Sequence, residues 1–227
     1  MLRKLILTSM LIGSAFTAQA GIITAEQSAS SNWVDTNFSQ HKLNFDQFDT
    51  LGGTRTLTKI HFELFGETKK DFFAENTSTS SDSDFDVDLG TRLKLTTVVG
   101  LTELVTTLPR YISEFTLDVY DGQTDYLGAS GLTAKGLYAN KTEVKTITDQ
   151  NLLGLFIGTG QVTTYLSGTS RDSITTSGGN ITNNIKTQGA AKASVRYEYE
   201  LKQVSTPASV GLFGLGLLCM SLRARRK

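Results

Sequence analysis

An all-β fold, an antiparallel β-sandwich of the jelly-roll kind in a single domain, is predicted by three observations. Apolar residues recur at every second position in several segments, the period of a strand with one buried face. Gly-rich or polar turn signals separate those segments at Gly52-Gly53, Asp121-Gly122, Gly128 to Gly131 and Ser177-Gly178-Gly179-Asn180. No long helical periodicity competes; Asp149 to Phe156 alone suits either a short helix or a buried strand.

In chain order, Met1 to Ala20 reads as an export signal. Arg3 and Lys4 supply the positive flank, Leu5 to Phe16 the apolar stretch, and Ala18-Gln19-Ala20 the small-x-small pattern that signal peptidase accepts, placing cleavage between Ala20 and Gly21. In the body, residues 21–204, Ile60, Phe62 and Leu64 alternate with Lys59, His61 and Glu63. The polar segment Ala74 to Asp84 reads as a loop. Between Phe85 and Val99 the odd positions are Phe, Val, Leu or Thr, and Gly90 is expected to split the run or mark a bulge. Phe115, Leu117 and Val119 form a further alternation, and Asp121-Gly122 after them suits the positive φ angles of a tight hairpin. The plainest strand comes last, with Ala193, Val195, Tyr197, Tyr199 and Leu201 on one face and Lys192, Arg196, Glu198, Glu200 and Lys202 on the other.

The tail, residues 205–227, is predicted to be a hydrophobic anchor helix. Val210 to Leu222 is apolar apart from its glycines and Ser221, and Arg223, Arg225, Arg226 and Lys227 follow at once. That run is short of the ~20 residues that cross a bilayer comfortably, but counted from Pro207 it can span a thin one, with the basic cluster held on the cytoplasmic side. The tail resembles a PEP-CTERM sorting signal: a short Pro-containing motif, Ser205-Thr206-Pro207-Ala208-Ser209, then an apolar stretch and an Arg-rich end. It lacks the Glu that follows Pro in the commonest form of that motif. The resemblance implies processing by a membrane protease-transpeptidase of the exosortase type, and a setting beside exopolysaccharide production.

A second resemblance spans most of the body. Phe45-Asp46-Gln47-Phe48-Asp49-Thr50-Leu51-Gly52 followed by Thr56-Leu57-Thr58-Lys59-Ile60, then Phe156-Ile157-Gly158-Thr159-Gly160-Gln161-Val162, then Ser194-Val195-Arg196-Tyr197-Glu198-Tyr199, is similar to the bacterial choice-of-anchor E domain. Gly53, Thr54 and Arg55 stand as an insertion relative to that pattern. The resemblance implies a surface domain on a variable anchor and brings no catalytic residues with it.

Charge and cysteine usage narrow the function classes. The chain holds 22 basic and 22 acidic residues, but six basic ones lie in the two ends, which contain no Asp or Glu. The body is therefore acidic, with 16 against 22, and lacks the basic footprint of a nucleic-acid binder. The single cysteine, Cys219, falls in the tail, so the body is built without disulfides and its stability rests on burial.

The chemistry-bearing residues are few. His41 and His61 are the only histidines, and His61 shares the polar side of its strand with Glu63, which reads as a solvated pair rather than a catalytic dyad. No phosphate-cradling glycine loop or two-histidine zinc pattern is present, and no cofactor is implied. Asp82, Asp84, Asp86 and Asp88 alternate through Asp82 to Gly90 and supply the hard oxygen ligands that Ca²⁺ takes. An EF-hand loop would need Gly at Val87 and Glu at Leu93, and the competing reading is a strand whose aspartates face water. Trp33, Tyr111, Tyr120, Tyr126, Tyr138 and Tyr165 are candidate stacking faces for sugar rings. The sequence thus points to an exported, non-enzymatic surface or matrix protein. A carbohydrate-binding module is the alternative, and a glycosidase with paired carboxylates the third reading, although no spacing selects a pair.

Overall fold

The computed structural model describes residues 21–97, 102–178 and 180–202. The segment read as an export leader, including Ala20, and the segment read as a sorting tail, including Ser205, Thr206, Pro207, Ala208 and Ser209, lie outside those residues. The chain forms β1 (Ile22–Ile23), β2 (Gln27–Ser30), β3 (Val34–Asp35), β4 (Phe38–Asp46), β5 (Arg55–Asn76), β6 (Ser83–Thr96), β7 (Glu103–Thr107), β8 (Arg110–Leu117), β9 (Gly131–Ile147), α1 (Gln150–Leu155), β10 (Gln161–Thr176) and β11 (Ile181–Leu201).

These strands make a β-sandwich of two antiparallel sheets. The first has the order β1-β11-β5-β9, with β2 and β3 continuing β1 along the same flank of β11. The second has the order β4-β10-β6-β7, with β8 continuing β7 along the flank of β6. The connections from β3 to β4, β4 to β5, β5 to β6, β8 to β9, β9 to β10 and β10 to β11 all pass from one sheet to the other. The longest ladder, β5 with β11, runs from Asn76 opposite Ile181 to Arg55 opposite Leu201. At ~3.3 Å per residue its 22-residue strand β5 extends about 70 Å.

Period-two alternation places the core. Ile60, Phe62, Leu64, Phe72 and Ala74 of β5 face Phe85, Val87, Leu89, Leu93 and Leu95 of β6, all buried. Ala191, Ala193, Val195, Tyr197 and Tyr199 of β11 complete the inner face of the first sheet. The sheets come closest where side chains are smallest. A Cβ on Gly66 would lie 2.4 Å from Thr107 Cγ2 and 2.8 Å from Leu93 Cδ1, so only glycine fits under β7 there.

Both lateral openings of the sandwich are bridged. On one side the Gln27 side chain pairs with the backbone of Asp46, its Oε1 accepting from the Asp46 N–H at 2.7 Å and its Nε2 donating to the Asp46 carbonyl at 3.2 Å. The amide thereby substitutes for a strand between β2 and β4. On the other side the Thr107 hydroxyl donates to the Lys141 carbonyl at 3.1 Å, and Lys145 Nζ donates to the Glu103 carbonyl at 3.1 Å.

Two expectations change and two are sharpened. Strand β6 runs unbroken through Gly90, which pairs with Arg110 on one side and Arg171 on the other. The break falls instead on the neighbouring edge, between β7 and β8, where Pro109 has no N–H to contribute to a ladder. Asp121-Gly122 does not close a hairpin: it lies in the connection that carries the chain from β8 to β9 in the opposite sheet, with Gly122 at φ 99° and Asp121 Oδ1 accepting from the Gln123 N–H. The loop expected over Ala74–Asp84 is confined to residues 77–82, between the ends of β5 and β6, and is tied by Asn76 Nδ2 donating to the carbonyls of Ser81 and Asp118. Residues 150–155 are helical, because Asp149 caps the backbone N–H groups of Asn151 and Leu152.

The core is not continuous. A large apolar cluster at the β5 start and a smaller one around Phe72, Phe85 and Leu117 are divided by a polar belt. Lys70 stands in that belt with its side chain fully buried, in contact with Asp172 of β10. Its Nζ also donates to the Gly90 carbonyl at 2.9 Å, Thr187 Oγ1 at 3.1 Å and Ser170 Oγ at 3.2 Å. Thr68 and Thr91 hydroxyls meet beside it at 2.6 Å, again across the two sheets. Desolvation holds the Lys70 ammonium below the ordinary lysine pKa, and the Asp172 hydrogen bond opposes that shift. Breaking a buried pair leaves a desolvated charge alone, which costs 3–5 kcal/mol. Since Asp172 retains some solvent contact, Lys70→Met is expected to lose about 3 kcal/mol in urea unfolding. The double change Lys70→Met with Asp172→Leu is expected to recover part of that loss.

Candidate functional site

The aspartate row lies on the outer face of the second sheet. Strand alternation turns Asp84, Asp86 and Asp88 outward while Phe85, Val87 and Leu89 enter the core. Asp82 precedes the strand and is exposed. The row is extended, and its members have separate partners: Asp84 Oδ1 accepts from the Thr116 hydroxyl at 2.8 Å, and Asp88 Oδ1 accepts from Arg110 Nε at 2.7 Å. Asp86 stands opposite Glu114 on β8 and Thr175 on β10. Asp84 and Asp86 line an open groove of about 440 Å³, with Glu114, Thr116, Thr175 and Ser177 on its other walls. Sequence spacing selects no carboxylate pair; the β6–β8 register brings Asp86 and Glu114 together from separate strands. Among the described residues no three His, Cys, Asp or Glu side chains converge as metal ligands.

The outer face of the first sheet carries the exposed aromatics. Lys69 Nζ lies 4.7 Å over the Trp33 ring, and Lys69 is directly opposite Tyr138 on β9. The Tyr138 hydroxyl donates to Glu67 Oε1 at 2.6 Å and accepts from Asn140 Nδ2 at 3.3 Å. That bond to Glu67 raises the Tyr138 pKa above its ordinary value. Trp33 and Tyr138 are therefore gathered on one face with a cation, a carboxylate and an amide between and beside them. The other candidate rings are placed elsewhere. Tyr126 meets Phe73 edge-on at 5.9 Å, Tyr120 bonds Thr124, Tyr111 packs against the smaller core cluster, and Tyr165 lies on β10 of the second sheet.

His61 does lie on the polar side of β5, but its partner is not Glu63. Its Nε2 is 2.9 Å from Glu198 Oε2 and its Nδ1 is 3.0 Å from Thr146 Oγ1. Lys59 Nζ donates to the other Glu198 oxygen at 2.8 Å, and these hydrogen bonds, Lys59 first, hold the Glu198 carboxyl below its usual pKa. The pair exists because β11 lies beside β5, which neighbours in sequence do not reveal. His41 lies on edge strand β4 opposite Leu166.

The segments Phe45–Gly52, Phe156–Val162 and Ser194–Tyr199 meet at one pole. Phe48 donates its N–H to the Phe156 carbonyl at 2.7 Å, and its ring packs 5.9 Å from Tyr197 and 5.2 Å from Tyr199. The buried Tyr197 hydroxyl donates to the Asp46 carbonyl at 2.7 Å, and burial pushes its pKa upward. Gln47 Nε2 donates to the carbonyls of Leu155 and Ile157.

No family model matches the chain, and no curated protein matches it. Among solved structures it is similar to a chain of infectious bursal virus derived T=1 particles, with 12% identity and a TM-score of 0.25 over 88% of this chain and 40% of that one. It is also similar to the infectious bursal disease virus VP2 subviral particle, with 11% identity and a TM-score of 0.27 over 86% of this chain and 42% of that one. The chain thus spans less than half the length of these capsid structures, and at such TM-scores the likeness fixes neither fold nor function.

With Asp84 and Asp88 already bonded within the protein, millimolar Ca²⁺ is expected to leave the thermal midpoint unchanged. A rise in midpoint, absent in an Asp86→Asn variant, would instead assign an ion to the groove.

Proposed function

We propose that this chain is an exported bacterial protein of the cell surface or extracellular matrix, with a structural or adhesive and non-enzymatic role. Signal peptidase would release Gly21, and an exosortase-type enzyme would process the tail after the segment 205–209 has delivered it to the membrane. The reading is carried by one combination: an export-type leader and a basic-ended apolar tail bracket a cysteine-free β body. Three features support it. The strand order, counting β1 to β3 as one interrupted strand and β7 with β8 as another, places the first, eighth, third and sixth strands in one sheet and the second, seventh, fourth and fifth in the other. That is jelly-roll connectivity. The ionisable pairs Lys70–Asp172, Lys59–Glu198 and Arg110–Asp88 tie strands to one another, a structural use of charge. The order of the quoted segments and the tail that follows them agree with a choice-of-anchor E domain carrying a PEP-CTERM signal.

Deleting Pro207 to Lys227 is expected to move the protein from the membrane fraction to the periplasm or medium. Unchanged fractionation would refute the anchor.

A second reading, a carbohydrate-binding module that takes exopolysaccharide, is favoured by the Trp33–Lys69–Tyr138 face. Exposed rings stack on the apolar faces of sugars while neighbouring amides and carboxylates take their hydroxyls. On a glycan array the secreted protein is then expected to bind, and Trp33→Ala or Tyr138→Ala to lose that signal while keeping the wild-type melting curve. A silent array leaves the structural role.

A further inference from the structure

The chain enters and leaves its described body at the same end. Gly21 precedes Ile22, which pairs with Tyr199 near the close of β11, and the Lys202 N–H donates to the Thr54 carbonyl at 2.8 Å beside the start of β5. That pole is also where exposed apolar side chains gather. Ile22, Ile23, Leu51, Leu155, Ile157 and Leu201 are 37% to 54% exposed. They come from four separate pieces of chain: β1, the Asp49–Thr54 turn, the α1 end and the last residue of β11. The turn holds Leu51 outward at φ 47°, with its N–H bonded to Asp49 Oδ1 at 2.8 Å and its carbonyl accepting from the Thr54 hydroxyl at 3.0 Å. Leu155 ends the capped helix, and Ile157 is fixed by its bridge to Phe48.

What covers this pole follows from the length of the chain beyond it. Residues 203–209 separate Lys202 from the apolar run that begins at Val210. Seven residues reach at most about 25 Å when fully extended. A tail inserted in a bilayer therefore keeps this pole, and not the far one about 70 Å of strand away, within reach of the lipid. Two cations stand at the same rim: Lys202, and Arg55, whose guanidinium lies 5.1 Å from the Tyr199 ring centroid. Of the carboxylates nearby, Asp49 is engaged in the turn, Asp149 at the helix cap and Glu198 with Lys59 and His61, while Glu200, opposite Thr56, is exposed.

We propose that this pole is a membrane-seating surface, in which Leu51, Leu155, Ile157 and their neighbours dip into the outer part of the bilayer that holds the tail, so that the sandwich stands on the membrane instead of swinging from it. The proposal rests on the anchor reading and adds an orientation to it. Non-directional burial of apolar side chains drives the contact, and Lys202 and Arg55 are the rim groups that can meet lipid phosphates.

The test uses the full chain, matured at Gly21, in phosphatidylcholine–phosphatidylglycerol vesicles. In a Cys219→Ser background, Leu155→Cys and, separately, Leu51→Cys carry an environment-sensitive fluorophore, and Leu127→Cys at the opposite end serves as reference. Leu127 belongs to the β8–β9 connection, beside the end of β5. Nitroxide-labelled lipid is expected to quench the labels at 155 and 51 severalfold more than the label at 127. Co-flotation with equal quenching at all three positions would overturn the seating surface and leave the anchor standing. Failure of the unlabelled chain to float with the vesicles would overturn both.

Discussion

The alignment of the sandwich depends on a buried cation that belongs to one sheet and takes most of its acceptors from the other. Lys70 leaves β5 and finds its acceptors on β6, β10 and β11. An amine in that position has no tolerance for sliding: a two-residue shift of β5 against its neighbours would put Thr68 or Phe72 in its place and leave Asp172 without its cation. Hydrophobic residues on both sides of the belt set how strongly the sheets adhere, and the belt sets how they are aligned. Thr68 with Thr91, and Ser170 with Asp172, extend the same requirement to either side. Buried polar networks are stable only when every member has a partner, and this one is met in a single register.

The alignment has consequences at the surface. With β5 fixed on β11, His61 and Lys59 fall on Glu198; with β6 fixed on β10 and β8, Asp86 falls on Glu114 and Thr175. Each outer face then has its own character. The second sheet presents carboxylates and hydroxyls, the first presents rings and an amine. Neither arrangement exists in the sequence as a local motif, since one takes residues from three strands and the other from two strands and the β2–β3 connection.

Much of the fold was legible because the signal is local. The alternation from Ala193 to Leu201, from Ile60 to Leu64 and from Phe85 onward names its own buried face, and the structure buries Ala193 to Tyr199, Ile60 to Leu64 and Phe85 to Leu95 while leaving Leu201 exposed at the pole. Even Lys70 obeys the rule, lying ten residues beyond Ile60 on the same side of β5, yet a charged residue at an inward position reads as the end of a strand. The rest was illegible because it is set by tertiary pairing. Gly90 carries a breaker's composition, but β6 is pinned by neighbours on both sides and the weak edge gives way at Pro109. Asp121-Gly122 has turn chemistry, and makes a turn, within a longer crossing that the dipeptide does not specify. His61 has Glu63 close in sequence and Glu198 close in space.

The interrupted first strand has a kinetic meaning. Segments β1, β2 and β3 are the first part of the body to be made, and their partner in the sheet, β11, is the last. Until β11 arrives, β5 also lacks its longest neighbour, and the first sheet has only its β5–β9 pair. Such long sequence separations make for slow folding, because loop closure precedes the contacts that reward it. A polypeptide arranged this way cannot close its first sheet until its last strand is available, which ties the completion of the body to the end of its own sequence.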